Sequence, residues 1–393
     1  MFAHNSKRLS PAGLGALTVL IALATATSLP AQPEKRLPAS PGQLLVLDLQ
    51  AGGSVSVIGW DRNEVLVSYD VRTGNPSDFQ IDIEETGDGV RVRSGYIRNS
   101  RHWSSNMAFN IRVPRQFDID LDSMGGGLSV VDVEGRFTGK TMGGELSFTN
   151  VRGSAEMKTM GGEIHLEDSD LDGSLRTMGG EVLFRNVEGD VRGSSMGGNV
   201  RYVNVRRRDG SLAGPDRTGS VPASSDTVQI STMGGRIDVD EAPEGASVHT
   251  MGGDIDVRQS SRFTRARTLG GDIYIESLDG WVEAATNGGD VEVHILGSGG
   301  DQHIDLSSLS GDVTLYLPAD FAGQLEVRIA YTRDSRKSYR IISDFPLTEQ
   351  RPAEWDYSRG SPRRYVIGQG TINGGGHPVR LETINGNITI RSR

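Results

Sequence analysis

The chain of 393 residues contains no cysteine. This absence excludes disulfide bonds, thiolate metal sites and cysteine nucleophiles. Aromatic residues make up only 6% of the chain, whereas glycine occurs 52 times, a balance typical of a turn-rich β protein. An excess of basic residues is also missing, because 41 lysines and arginines face 51 aspartates and glutamates, a formal net charge of -10. This charge argues against nucleic acid or an anionic membrane as the main partner.

A short motif recurs through the middle of the chain. Its Met-Gly-Gly core returns at every eighteenth position, with one longer step, and continues as Leu269-Gly270-Gly271 and Asn287-Gly288-Gly289. A fixed short period is the mark of a repeat architecture in which each unit stacks on its neighbours. We number every repeat from its methionine as position 1. The methionines are Met124, Met142, Met160, Met178, Met196, Met233 and Met251.

Each repeat has an internal pattern. Positions 5 and 7 are apolar, as in Leu146 and Phe148, and this alternation predicts a half-buried strand. A second strand is predicted at positions 14 to 18, with Ala155, Met157 and Thr159 facing inward. The two glycines at positions 2 and 3 predict a tight corner with positive φ. Position 18 is a row of threonines and serines that we expect to turn in at that corner.

These patterns predict an all-β fold, a single-stranded parallel β-solenoid (β-helix) with 18-residue two-strand coils and irregular β caps at both ends. The repeats are assigned to residues 122–316. Residues 43–121 alternate less regularly and are assigned to an N-terminal β cap region. Residues 317–393 are assigned to a C-terminal β cap with a final coil, since the motif returns from Leu381 to Ile388. Caps are expected because an open sheet edge invites aggregation.

The N-terminus has the pattern of an export signal. Lys7 and Arg8 precede an apolar run from Leu14 to Ala26, so residues 1–31 are predicted to be a signal peptide. The run is too short to span a bilayer comfortably, and no transmembrane segment is expected in the mature chain. Residues 32–42 form a proline-rich linker. The protein is therefore expected in the periplasm, on the outer surface or outside the cell.

The longer step, from Met196 to Met233, holds one repeat and an inserted loop, assigned to residues 206–225. The loop begins with Arg206, Arg207 and Arg208. Turns between strands accept insertions at small entropic cost, so one interpretation is a protruding loop without a function of its own. The other is a contact site for a partner, carried by the three arginines.

One segment resembles a calcium loop. Asp168, Asp170 and Asp172 alternate before Gly173, as the oxygen ligands and turn glycine of such a loop do. The twelfth residue of that pattern is Gly179, so the bidentate glutamate is missing. Ca²⁺ at these aspartates is therefore one hypothesis, and an acidic, solvated turn is the other. No further cofactor is predicted.

Signals for catalysis are weak. Gly193 to Gly197 matches the G-x-S-x-G string of hydrolases, but that motif needs a strand-to-helix turn, whereas Ser195 is a position-18 hydroxyl. We therefore predict no catalytic residues and no enzymatic activity. A carbohydrate-active β-helix enzyme is the least favoured alternative, because it needs a pair of carboxyl groups within reach of one another in a groove.

Several stretches resemble a known family. The opening Gly53 to Val65, the repeated corner, Leu317-Pro318 and the closing Leu381 to Ile390 are similar to the bacterial β-solenoid domains labelled "putative adhesin", a family of unknown function. The resemblance covers roughly residues 43 to 393, although this chain has Met-Gly where the family more often has Val-Ser. It implies an exported binding or adhesion-type scaffold of the cell envelope, whose partner would be an envelope protein or a glycan. An envelope-stress sensing or structural role is the alternative.

Overall fold

The computed structural model describes residues 33–73, 75–97, 106–206, 227–297, 302–335, 338–358 and 361–393. The predicted signal peptide and most of the inserted loop, including Arg207 and Arg208, lie outside these residues.

Within the described residues the chain forms 30 strands and one short 3₁₀ helix, Pro76–Asp78. The strands before the first full repeat are β1 (Glu34–Pro38), β2 (Gln43–Leu49), β3 (Ser54–Trp60), β4 (Glu64–Thr73), β5 (Phe79–Thr86), β6 (Gly89–Tyr96), β7 (Asn106–Pro114) and β8 (Phe117–Ser123). The repeats supply β9 (Leu128–Val131), β10 (Glu134–Thr141), β11 (Leu146–Thr149), β12 (Arg152–Thr159), β13 (Ile164–Thr177), β14 (Val182–Glu188), β15 (Val191–Ser195), β16 (Val200–Arg206), β17 (Val228–Thr232), β18 (Ile237–Ala242), β19 (Ala246–His249), β20 (Ile255–Arg267), β21 (Ile273–Thr286), β22 (Val291–Ile295), β23 (Ile304–Ser308) and β24 (Val313–Leu317). The remaining strands are β25 (Gly323–Thr332), β26 (Ile341–Ser343), β27 (Thr348–Gln350), β28 (Arg363–Ile372), β29 (His377–Ile384) and β30 (Ile388–Ser392).

Strands of successive repeats pair in parallel. Leu146 lies opposite Ile164, and Ile164 lies opposite Val182, so paired residues are one repeat apart in sequence. Across the longer step the register is kept, with Val200 opposite Ile237. The predicted all-β class and the parallel stacking of the repeats are confirmed.

The core fills the space between the two strands of each repeat. Leu146 and Phe148 are fully buried, as are Ala155 and Met157 from the second strand, which confirms the predicted inward positions. Aromatic rings pack within this core: Phe184 stacks on its neighbour Tyr202 with ring centroids 4.9 Å apart. The buried hydroxyl of Tyr202 accepts a hydrogen bond from the Gly193 amide at 2.6 Å, and burial raises the pKa of this tyrosine.

The N-terminal segment joins the parallel stack out of sequence order. Strand β2 pairs in parallel with both β6 and β8, and β3 pairs in parallel with both β7 and β9. Strands β2 and β3 therefore lie inside the stack, although they come early in the chain. Each lies between two strands that follow later in the sequence. At this end of the stack β4 pairs antiparallel with β7, and β5 pairs antiparallel with β6.

The C-terminal segment also returns to the stack. Strands β29 and β30 pair in parallel with β23 and β24, which lie much earlier in the sequence, as Thr383 opposite Ser308 shows. The motif that returns from Leu381 to Ile388 therefore does belong to a further pair of strands in the stack. At this end β25 pairs antiparallel with β28.

The corner glycines differ from the prediction. Positive φ is found at Gly126 and Gly144, with 92° and 97°, but not at the equivalent Gly162. A Cβ on Gly162 would clash with the carbonyl group of Gly144, whereas a Cβ on Gly161 would have nothing within 4 Å. The expectation of positive φ at both corner glycines is therefore wrong. Only the second glycine is constrained, and in most repeats the constraint is the close approach of two backbones.

Candidate functional site

The corner of each repeat is held by its position-18 hydroxyl. The buried Thr177 donates a hydrogen bond from Oγ1 to the carbonyl oxygen of Gly162 at 2.7 Å and accepts one from the Gly180 amide at 3.1 Å. One hydroxyl thus satisfies a carbonyl of the corner that opens its own repeat and an amide of the corner that opens the next repeat. Side-chain oxygens that bond the backbone in this way meet the requirement that buried polar groups be paired.

Ser195 occupies the same position and makes the same bonds. Its Oγ donates to the Gly180 carbonyl oxygen at 2.8 Å and accepts from the Gly198 amide at 2.8 Å. The side chain is buried. Its hydroxyl is therefore used by the corner, and no histidine is among these partners, as a serine nucleophile would require.

The methionines at position 1 form an exposed row, which we call the methionine row: Met124, Met142, Met160, Met178, Met196, Met233 and Met251. Between 43% and 51% of each residue is exposed. The exposure follows from the local sequence, because the preceding threonine or serine turns inward and the two following glycines have no side chains to cover the thioether.

Backbone hydrogen bonds keep the row in register. The Met178 amide donates to the carbonyl oxygen of Thr159 at 3.2 Å, and the Met196 amide donates to that of Thr177 at 3.2 Å. Neighbouring methionines therefore lie about one strand spacing apart, roughly 4.8 Å.

The row borders a shallow groove. Its volume is about 310 Å³, and its walls are the last two residues of four strands together with the methionine that follows each: Lys158 to Met160, Arg176 to Met178, Ser194 to Met196 and Ser231 to Met233. Flexible, polarizable methionine side chains suit surfaces that adapt to a partner, and contiguous exposed apolar surface is typical of interaction sites. This row was not among the sites predicted from the sequence. The available signal was that position 1 follows an inward residue and therefore points outward.

The second turn of the first five repeats contains a ladder of short polar side chains. Asp168 and Asn186 both have positive φ, and Asn186 Nδ2 donates to Asp168 Oδ1 at 2.9 Å. Asn204 Nδ2 continues the ladder by donating to Asn186 Oδ1 at 2.9 Å. Asparagine and aspartate tolerate this left-handed conformation better than other residues with side chains.

The three predicted calcium ligands lie along one strand, β13. Asp168 belongs to the ladder just described, Asp170 is half-buried, and Asp172 Oδ1 accepts a hydrogen bond from the Asp190 amide at 2.7 Å. Across the described part of the chain there is no group of three or more carboxylate, imidazole or thiol side chains placed to hold a metal ion. Calcium binding at these aspartates stays a prediction.

Of the three predicted partner-binding arginines, the structure describes one. Arg206 ends β16, is exposed, and has Nη2 3.6 Å from Glu241 Oε2. Arg207 and Arg208 lie outside the described residues, so a contact site on this loop stays a prediction.

An ion pair and an aromatic column join strands β20 and β21 and the residue before β23. Arg265 Nε donates to Glu283 Oε2 at 2.8 Å, and this hydrogen bond is the main reason that the pKa of Glu283 is lowered. Nearby, Trp281 stacks between Phe263 and His303, with centroid distances of 4.8 and 4.7 Å. The rings cover one another's faces, so the column is a packing feature of stacked repeats.

No helix in the described ranges has the length and apolar character needed to cross a membrane.

Crystal structures similar to this chain include the following two. One is described as a putative cell adhesion protein from Clostridium sporogenes; it is 10% identical, and the match covers 92% of this chain and 100% of that one, with a TM-score of 0.18. The other is described as a putative adhesin from Parabacteroides distasonis; it is 12% identical, and the match covers 70% of this chain and 97% of that one, with a TM-score of 0.35. No curated protein matches the chain.

The comparison with protein families gives a match over most of the chain. The model described as Toastrack DUF4097 matches residues 79–344, which is more than half of the sequence. This range includes all seven repeats that begin with methionine. The resemblance inferred from the sequence is confirmed, and the chain belongs to the Toastrack DUF4097 family.

Proposed function

We propose that the protein is an exported, non-enzymatic binding scaffold of the bacterial cell envelope, of the adhesion type. The observation that carries the proposal is the methionine row, an apolar surface presented in register by seven repeats. Regular repeat surfaces of this kind serve as extended binding faces. The partner is an envelope protein or a glycan.

The architecture proposed for this scaffold is a β-solenoid with 18-residue, two-strand coils. It is supported by the parallel pairing of each repeat with the next in one constant register. Antiparallel pairs near both ends support caps over residues 43–121 and 317–393. Export is supported by the signal-like residues 1–31 and by a chain without thiols. The absence of enzymatic activity is supported by the use of the Ser195 hydroxyl in the corner.

The test is binding of the purified protein to isolated bacterial envelopes, measured by cosedimentation. Met160→Glu/Met178→Glu places two charges on the groove, and we expect it to abolish saturable binding. Met160→Leu/Met178→Leu is the matched control, since leucine keeps the apolar surface and Leu269 already occupies the same repeat position with 46% exposure.

Two results would contradict the proposal. One is the absence of saturable binding by the unaltered protein. The other is equal binding by the glutamate variant and the leucine control, provided that both keep the melting temperature of the unaltered protein.

A further inference from the structure

Part of the methionine row has an imidazole beside it. His249 precedes Met251 by two residues, and the residue between them, Thr250, is fully buried. Because side chains alternate along an extended chain, His249 and Met251 point to the same outer face. His249 lies opposite Ser231 in the parallel pairing, which places it at the same level of the stack as the methionine rungs Met233 and Met251.

The thioethers of the row are chemically distinctive in this chain. With no cysteine present, methionine is the one source of sulfur ligands. Thioether sulfur selects soft ions such as Cu(I), and imidazole also binds copper. Hard ions such as Ca²⁺ and Mg²⁺ prefer oxygen ligands. A cluster of exposed thioethers with an imidazole is therefore suited to a soft, monovalent ion.

The spacing of the rungs fits such an ion. The Met233 amide donates to the Met196 carbonyl oxygen at 3.2 Å, so these two methionines occupy adjacent rungs. An ion at the level of Met233 lies one strand spacing, ~4.8 Å along the stack, from the backbones of Met196 and Met251, a distance that methionine side chains leaning toward it can span. Zinc–sulfur bonds are about 2.3 Å long, and a copper–sulfur bond is of the same order. Unbranched methionine side chains have the rotational freedom to bring both sulfurs to one ion.

The charges of the neighbouring side chains favour cation binding at one part of the methionine row. The residue two positions before Met142, Met160 and Met178 is the cationic Lys140, Lys158 and Arg176, respectively. Asp122 precedes Met124, and its Oδ2 lies 3.4 Å from Lys140 Nζ. The same position holds Ser194 before Met196 and Ser231 before Met233.

A cation is repelled by the ammonium and guanidinium groups beside Met142, Met160 and Met178 and meets neutral side chains beside Met196 and Met233. Arg267, which lies opposite His249, is paired with Glu283, with Nη2 3.6 Å from Oε2. The nearby Arg236 is paired, with Nε 2.6 Å from Asp238 and Nη2 2.9 Å from Asp256.

We propose that Met196, Met233, Met251 and His249 form a binding site for a soft monovalent metal ion, Cu(I) or its chemical analogue Ag(I). The site uses the thioether sulfur, whereas the scaffold function proposed above uses only the apolar surface of the row. Either can therefore fail without the other.

The experiment is titration of the full chain with silver nitrate, observed through carbon-13 methyl signals of its methionines. At one equivalent of Ag(I) we expect the signals of Met196, Met233 and Met251 to shift. The buried Met107 and Met157 give internal references whose signals should stay in place. Competition for Cu(I) with a chromophoric chelator then gives the affinity.

The matched variants separate thioether chemistry from folding. Met196→Leu/Met233→Leu/Met251→Leu should lose the tight binding phase, and His249→Ala should weaken it. Met142→Leu/Met160→Leu/Met178→Leu, at the same repeat position but each two residues after a lysine or arginine, should leave it unchanged. Because all these side chains are exposed, we expect the variants to keep the melting temperature of the unaltered protein.

Three outcomes would overturn the proposal. They are failure of the chain to compete with the chelator, equal shifts along the whole methionine row, and unchanged affinity in the first leucine variant. The last would also show that any silver bound resides elsewhere. Retention of envelope binding by the same variant would leave the scaffold proposal standing.

Discussion

The hydroxyl of Thr177 donates a hydrogen bond to the carbonyl oxygen of Gly162, in the preceding corner, at 2.7 Å. The equivalent bond joins Thr159 to Gly144 and Thr268 to Gly253, each at 2.9 Å. These hydroxyls are buried, so water does not replace them. A row of identical side-chain bonds therefore fastens each corner to the one before it.

Removing one such hydroxyl tests this role. Thr177→Val keeps the shape of the side chain but leaves the partly buried Gly162 carbonyl and Gly180 amide without this partner. We expect a loss of about 1–3 kcal/mol in the free energy of unfolding, measured by urea denaturation. Thr177→Ser keeps the hydroxyl and should lose less. Equal stability of the valine variant and the unaltered protein would show that the bond is not needed.

The two corner glycines should respond differently to a methyl group. Gly162→Ala places a Cβ against the backbone of Gly144, and overpacking of this kind costs about 1–3 kcal/mol. Gly161→Ala places its Cβ in open space and should change the melting temperature little. Thermal unfolding of the two variants side by side is the measurement. A larger loss for the Gly161 variant would contradict the corner geometry.

Two substitutions at Asn186, in the ladder of short polar side chains, separate the cost of backbone strain from the loss of side-chain hydrogen bonds. Asn186 has φ of 52° and bonds through its amide to both Asp168 and Asn204. Asn186→Ala loses these bonds and holds alanine in a conformation that costs about 1–2 kcal/mol. Asn186→Gly loses the bonds without that strain. We expect both to unfold at lower urea than the unaltered protein, with the alanine variant lower; the reverse order would refute the strain argument.

The Arg265–Glu283 pair predicts a dependence on pH. The hydrogen bond from Arg265, with the nearby positive charges of Arg265, Arg267 and His303, outweighs partial burial and lowers the pKa of Glu283 from its ordinary 4.5. A folded-state pKa below the unfolded value means that the contribution to stability is complete above the unfolded pKa. It is lost as the pH falls through the lower, folded value.

Glu283→Gln should therefore reduce stability at pH 7, by at most about 1 kcal/mol for a pair near the surface. The difference from the unaltered protein should shrink once the pH falls below about 4. Urea denaturation across the range from pH 3 to pH 7 measures it. In the background of Arg265→Gln, the same substitution should show a much smaller dependence on pH; an equal dependence would assign the effect to other groups.

The repeats could be predicted from the sequence because their period is short and exact. Apolar pairs such as Leu146 and Phe148 recur once in every repeat, and the structure places them opposite their equivalents in the neighbouring repeats. The out-of-order insertion of β2 between β6 and β8 could not be predicted. Its partner in β8 is distant in sequence, as Leu49 opposite Ser123 shows, and no period marks a pairing of that length.

The site was predictable only in part. The corner hydroxyls were expected to turn inward, and burial of Thr159 and Thr177 confirms this. The constraint on the second glycine alone could not be inferred, because it depends on how closely two backbones approach. The exposure of Met178 did have a signal in the sequence, since it follows an inward threonine and precedes two residues without side chains.

The identity of the corners has a consequence for how the chain folds. Thr-Met-Gly-Gly-Glu occurs unchanged at residues 141–145, 159–163 and 177–181. A slip by one whole repeat among these three would therefore recreate their corner bonds. The interior does differ, since Phe148 and Phe184 alternate with the smaller Leu166, and Phe184 stacks on Tyr202. Discrimination between neighbours during folding thus depends on the sizes of the enclosed side chains.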